Sequence, residues 1–351
     1  MIENTTSATL SPGPVIVDIQ GYSLSDAERE RLLHPLTGGL ILFARNFESR
    51  QQLTELCAQV RALRPGLLIC VDHEGGRVQR FRTDGFTPLP AMRKLGELWE
   101  LDAQKAVQVA AETGYVLAAE LRACGVDLSF TPVLDLDYGV SEVIGDRSFH
   151  TQPRAVAQLA EGLIRGLQKA GMAACGKHFP GHGAVVADSH HEIPIDERDL
   201  STIVDADAAP YGWLGTVLLP SVMPAHVIYP QVDDKPAGFS TFWLQRVLRK
   251  ALAYDGLIFS DDLTMEGASV AGDILQRAQA ALQAGCDMVL VCNRPDLADQ
   301  LLASLQYEQP AQFAERFYRL LPEQPAMDWD SLQNDEHYQY ARGLQSQIIS
   351  R

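Results

Sequence analysis

At 351 residues, with 45 acidic against 29 basic side chains and a formal net charge of −16, the chain is long enough for two average domains or one α/β barrel. The acidic balance argues against a nucleic-acid surface, which needs clustered Lys and Arg, and favours solubility. An apolar fraction of 46% is that of a globular protein with a substantial core, and no run reaches the roughly 18 apolar residues of a membrane span.

Residues 1–14 read as a loose polar leader, without the basic and apolar blocks of an export signal. Cys57, Cys70, Cys124, Cys175, Cys286 and Cys292 are scattered, with no C-x-x-C pair. They are expected as reduced core residues, and the protein as cytoplasmic.

In chain order, residues 15–19 form a short apolar run closed by Gln20-Gly21, and Ser25 is placed to cap a helix reaching Leu33. Residues 39–43 and 67–71 are further buried-strand candidates, separated by helical spacing over 48–63 that Pro65-Gly66 stops. An Ala-rich helix is expected over 102–124, a strand over 126–136, a helix over 153–170 and a strand over 172–177. A helix over 199–213 and a strand over 216–219 follow, then an amphipathic segment over 242–253 and a strand over 256–259. The last pair is a helix over 274–284, stopped by Gly285, and a strand over 288–291, after which the chain is helical and polar.

Eight continuous apolar runs alternating with helices indicate strands buried on both faces, as in a parallel sheet. Eight of them favour a closed α/β barrel of the (β/α)₈ TIM type, in one domain over residues 15–351.

In such a barrel the residues after each strand line the active face. They are Asp72, Glu74 and Arg77; Asp135 and Asp137; Lys177 and His178; Met223, Pro224 and His226; Asp261 and Asp262; Asn293 and Arg294. Carboxylates, Arg, Lys and His converging on one face point to a pocket for a polar ligand. Asp261 follows a buried strand directly, as a rigidly held nucleophile would, and Asp262 should point elsewhere if the pleat continues. Both could instead cap the next helix. In Asp188-Ser189-His190 the carboxylate can fix the imidazole tautomer, leaving the other ring nitrogen to move a proton. A metal site built from His178, His182, Asp188 and His190 is the alternative, but Pro180 and Gly181 prevent the helix that would bring the first two together. There is no H-E-x-x-H, Walker loop or G-x-G-x-x-G motif.

Four stretches together resemble the family 3 glycoside hydrolases: residues 72–80 (DHEGGRVQR), 145–149 (GDRSF), 177–190 with KHFPGHG and DSH, and 260–267 (SDDLTMEG). The resemblance runs from Val15 to about Asn293. It implies a (β/α)₈ barrel with Asp261 as nucleophile, His190 as acid/base and Asp188 as its orienting partner. Asp72, Arg80, Arg147, Lys177 and His178 would bind substrate, with no cofactor and no metal. It further implies a retaining β-N-acetylhexosaminidase that removes terminal GlcNAc from GlcNAc-1,6-anhydro-MurNAc, with or without peptide, in cytoplasmic cell-wall recycling. The expected partner is that small-molecule substrate, not nucleic acid or membrane, and the expected state is a monomer. A phosphorylase on the same scaffold stays open, because a His acid/base repels phosphate less than a carboxylate does.

Overall fold

The computed structural model describes residues 11–186 and 193–349. Its centre is eight parallel strands: β1 (Val15–Asp18), β2 (Thr37–Leu42), β3 (Leu68–Val71), β4 (Leu128–Ser129), β5 (Cys175–Phe179), β6 (Ser221–Pro224), β7 (Leu257–Asp262) and β8 (Met288–Val291). Hydrogen-bonded neighbours run β4-β3-β2-β1-β8-β7-β6-β5. Parallel bridges Leu128–Ala173 and Val133–Lys177 join the two ends into a barrel.

Alternation along the strands divides the core in two. Ile16, Ile41, Cys70, Met223, Phe259 and Leu290 fill the barrel interior, while Val15, Val17, Leu40, Leu42 and Val71 pack outward under the helices. Inside, Phe130 and Phe259 meet edge to face at 5.1 Å. Phe313 and Phe317, on a short helix (Phe313–Tyr318), join the interior cluster and close it from the far end.

Local chemistry sets the helix ends. Ser25 and Glu28 make a reciprocal capping box on α1 (Asp26–Leu33), and Ser49 caps α2 (Arg50–Leu63). After α3 (Met92–Leu101), Asp102 caps α4 (Ala103–Ala123), and Pro153 opens α5 (Pro153–Lys169). Helices α4 and α5 touch backbone to backbone: a Cβ on Gly166 would lie 1.9 Å from the Ala111 carbonyl oxygen.

Four expected elements differ. The apolar run over 126–136 pairs as a strand only at Leu128–Ser129, because Pro132 has no amide to donate and the Thr131 amide turns back to Ser129. The strand expected over 172–177 begins at Cys175 and continues to Phe179, so Lys177 and His178 lie within β5 and not after it. Residues 216–218 end a helix, with Leu219 as its C-cap. The region expected as one helix is two, α6 (Leu200–Asp205) and α7 (Ala209–Leu218), and strand six is Ser221–Pro224. A short apolar run fits either state, and length alone decides between them. The amphipathic segment is a π-helix (Phe242–Ala251), and Asp273 caps α8 (Ile274–Ala284). Among the described residues no helix is long and apolar enough to cross a membrane.

Candidate active site

A cavity of about 500 Å³ opens at the C-terminal ends of the strands. It brings together Asp72, Arg80, Arg147, Lys177, His178 and Asp261, six of the eight residues assigned from sequence. Asp188 and His190 lie outside the described residues, while Val186, just before that gap, lines the cavity wall.

One side is an ion network. Lys177 Nζ lies 2.8 Å from Asp72 and 2.7 Å from Glu74. The Arg147 guanidinium grips both oxygens of Glu74, at 2.8 and 2.9 Å, and Arg80 stands 3.6 Å from Asp72. Burial alone would neutralise these groups. For Glu74 that push is outweighed by Arg147 and Lys177, which hold its carboxyl far below the usual range. Burial would likewise lower Lys177, but Asp72 and Glu74 raise it. The site therefore presents fixed charge, with hydrogen-bonding capacity left for a hydroxyl-rich ligand.

Adjacent residues of a regular strand face opposite ways, yet Lys177 and His178 both line the cavity. The pairing explains it. Lys177 pairs with Met223 and Phe179 with Pro224, so two steps on β5 answer one on β6, a bulge centred on His178. The Lys177–His178 and Phe179–Pro180 peptides are cis. Asp135 then fixes the imidazole, with Oδ2 2.7 Å from Nδ1, and its Oδ1 accepts the His182 amide at 2.6 Å. Burial works against ionising Asp135, but His178 lowers it on balance. Burial, with His178 nearby, depresses His182.

A second bulge re-aims the end of β7. Phe259 pairs with Met288 but Asp262 pairs with Leu290, leaving one extra residue between the pairs. The Ser260 hydroxyl accepts the Leu290 amide in place of a main-chain partner. The pleat does not continue, so both Asp261 and Asp262 border the cavity. Neither caps α8, whose cap is Asp273. Asp261 Oδ1 accepts the amide of Asp262 at 2.8 Å. The Asp262 carboxyl turns to Thr264 and Cys292, and burial pushes it up to about 7.

Glu74 and Asp135 tie the site together, through Lys177 and Arg147 and through His178 and His182, although the resemblance gives neither a role. Their position at strand ends was the available signal. The six cysteines are all buried and unbridged.

A charged pocket at the C-terminal face of a closed (β/α)₈ barrel is the arrangement of an enzyme that takes a polar, hydroxyl-bearing substrate. The chain belongs to glycosyl hydrolase family 3: the model of that family's N terminal domain matches residues 14–321, and the protein is a glycoside hydrolase. It is 67% identical over 351 residues, all of both chains, to a beta-hexosaminidase of Bordetella avium (strain 197N). It is 56% identical to one of Aromatoleum aromaticum (strain DSM 19018 / LMG 30748 / EbN1), covering 99% of this chain and 98% of that one. Among solved structures it is similar to NagZ from Neisseria gonorrhoeae in complex with N-trifluoroacetyl-D-glucosamine, with a TM-score of 0.92, 49% identity, and 97% and 99% of the two chains covered. It is also similar to a family 3 beta-N-acetylglucosaminidase from Paenibacillus sp. str. FPU-7, with a TM-score of 0.82 and 30% identity, covering 96% of this chain and 67% of that one.

Proposed function

We propose that this protein is a retaining exo-β-N-acetylglucosaminidase, taking terminal GlcNAc from GlcNAc-1,6-anhydro-MurNAc, with or without peptide, in cell-wall recycling in the cytoplasm. The observation that carries it is the Asp261 carboxylate at the β7 bulge, bordering the same cavity as the Asp72–Lys177–Glu74–Arg147 network. The names of its relatives support the sugar.

In this reading Asp72, Arg80, Arg147, Lys177 and His178 hold hydroxyls and the N-acetyl group through charged hydrogen bonds. Asp261 attacks the anomeric carbon while His190, oriented by Asp188, gives its proton to the leaving oxygen. Water then breaks the Asp261 ester, with His190 taking the proton, and the configuration is retained. No metal, cofactor or second subunit is required.

The test is release of 4-nitrophenol from its β-GlcNAc glycoside, joined to trapping with a 2-fluoro sugar. Wild-type turnover and a covalent adduct on Asp261 support the mechanism, as does azide rescue of His190→Ala to a β-glycosyl azide. Formation of GlcNAc-1-phosphate in phosphate buffer would replace the hydrolase by a phosphorylase. An inert wild type, even with the anhydro-disaccharide, would sink the enzyme reading.

A further inference from the structure

The carboxyl of Asp262 sits in a hydrogen-bond pattern that counts protons. Its Oδ1 accepts from the amides of Thr264 at 2.9 Å and Cys292 at 3.1 Å. Its Oδ2 lies 2.8 Å from Thr264 Oγ1, and that same hydroxyl lies 3.1 Å from the Cys292 carbonyl oxygen. A hydroxyl has one proton, and a carbonyl can only accept. If Thr264 donates to Cys292, the contact between Oδ2 and Oγ1 needs a proton from the carboxyl itself.

We propose that Asp262 works as a neutral carboxylic acid, and in that form is a positioning residue that holds Asp261 for reaction. This rests on the reading of Asp261 as nucleophile. Asp262 is fixed at three points. Its amide donates to Asp261 Oδ1, its carbonyl lies 3.2 Å from His226 Nε2, and its carboxyl ties the end of β7 to the end of β8 through Cys292.

The groups around it suit a neutral acid. On its own strand stands Asp261. From the segment after β6 comes His226, which burial holds towards its neutral form. From the residue just after β8 comes the Cys292 thiol, pushed up by burial. From α8 comes Arg277, whose Nη1 is given to the Leu263 carbonyl at 2.8 Å. Among the described residues the carboxyl's hydrogen bonds go to Thr264 and Cys292 alone, so no cation neutralises it there. Ionisation would turn the Thr264 proton away from Cys292 and place a second negative charge beside Asp261.

Asparagine copies the neutral acid: its oxygen keeps both amides and its NH₂ donates to Thr264 Oγ1. With the 4-nitrophenyl glycoside, Asp262→Ala is expected to lower kcat about 100-fold at little change in KM, and Asp262→Asn to recover most of that loss. A folded Asp262→Asn as slow as Asp262→Ala overturns the proposal. Urea unfolding from pH 4 to pH 8 reads the proton without reference to activity. A folded-state value raised from 3.8 gives a contribution that is complete below 3.8 and lost as pH rises through about 7. Wild type should therefore lose stability relative to Asp262→Asn over that range, and parallel curves overturn the neutral acid. A 2-fluoro adduct on a residue other than Asp261 would overturn the positioning role, while the unfolding curves still decide the proton.

Discussion

Asp135 Oδ2 lies 2.7 Å from His178 Nδ1, joining the exit of β4 to the bulge in β5. Its other oxygen holds the His182 amide, so one buried carboxylate sets a ring and the turn that follows it. With Nδ1 engaged, Nε2 of His178 is the ring nitrogen left for the substrate contact proposed above. Asparagine has a single acceptor for these two donors. Asp135→Asn should lower kcat/KM about 10- to 100-fold in a folded protein. A change below about threefold would remove Asp135 from this role.

Lys177 stands between two carboxylates. Removing a partner from a buried ion network leaves uncompensated charge and typically costs about 3–5 kcal/mol. Lys177→Met is expected to lose stability of that order in urea unfolding, together with nearly all activity. Adding Glu74→Gln should recover part of the stability but not the activity. A double variant no more stable than the single would show that repulsion across the network is not the cause.

His73 is buried against Phe81 and Phe86, with ring centroids 5.7 and 6.1 Å away. Burial, then the charges of Arg80 and Arg82, depress it from 6.5 to about 3. The unfolded chain therefore takes up a proton that the folded one refuses. Its contribution is intact above 6.5 and falls as pH drops towards about 3. Glu74 acts in the same direction, with stability present above its ordinary 4.5 and lost as pH falls below it. For His73 the loss over the full window is on the order of 5 kcal/mol. His73→Phe should raise the urea midpoint at pH 4 relative to wild type more than at pH 7. Equal shifts at both pH values would refute the assignment.

At Gly166 a Cβ would sit 1.9 Å from the Ala111 carbonyl and 2.6 Å from the Tyr115 amide. Those are backbone atoms and cannot swing aside, so Gly166→Ala should cost at least about 1–3 kcal/mol. At Gly343, in the C-terminal helix, a Cβ would meet nothing within 4 Å. Gly343→Ala should therefore stabilise by about 0.5–1 kcal/mol. Thermal melts of the two variants should move in opposite directions.

The legible part of the fold was its alternation. The strand at 288–291 and the helix at 274–284 stand as read, because each is an unbroken pattern closed by a clear stop. The strand expected over 126–136 is too long, since apolar side chains do not reveal that Pro132 has no amide to pair. Strand six was placed too early because the end of α7 is as apolar as a strand. Asp72, Lys177, His178 and Asp261 line the cavity, as their places at strand ends imply, while the expectation for Arg80 and Arg147, which line it too, rests on the resemblance alone. The two bulges are not legible in the sequence. A regular pleat predicts that Asp262 turns away from Asp261 and His178 from Lys177. Register against a neighbouring strand cannot be read from one segment alone. Asp135 and Glu74 are legible as strand-end residues but their pairings are not, because the partners lie 43 and 73 residues further along the chain.

The interior aromatics set a direction of travel. Ile41, Met223 and Leu290 belong both to the cavity wall and to the packed barrel interior, with Phe130 and Phe259 in that interior and Phe313 and Phe317 sealing the far end. The barrel is a cup and not a pipe. Under the exo activity proposed above, a cup admits only the tip of a glycan to the Asp261 carboxylate, so internal bonds of a long strand are not expected to be cut. On that reading the cleaved sugar lies beneath the remainder, and the remainder is expected to leave first.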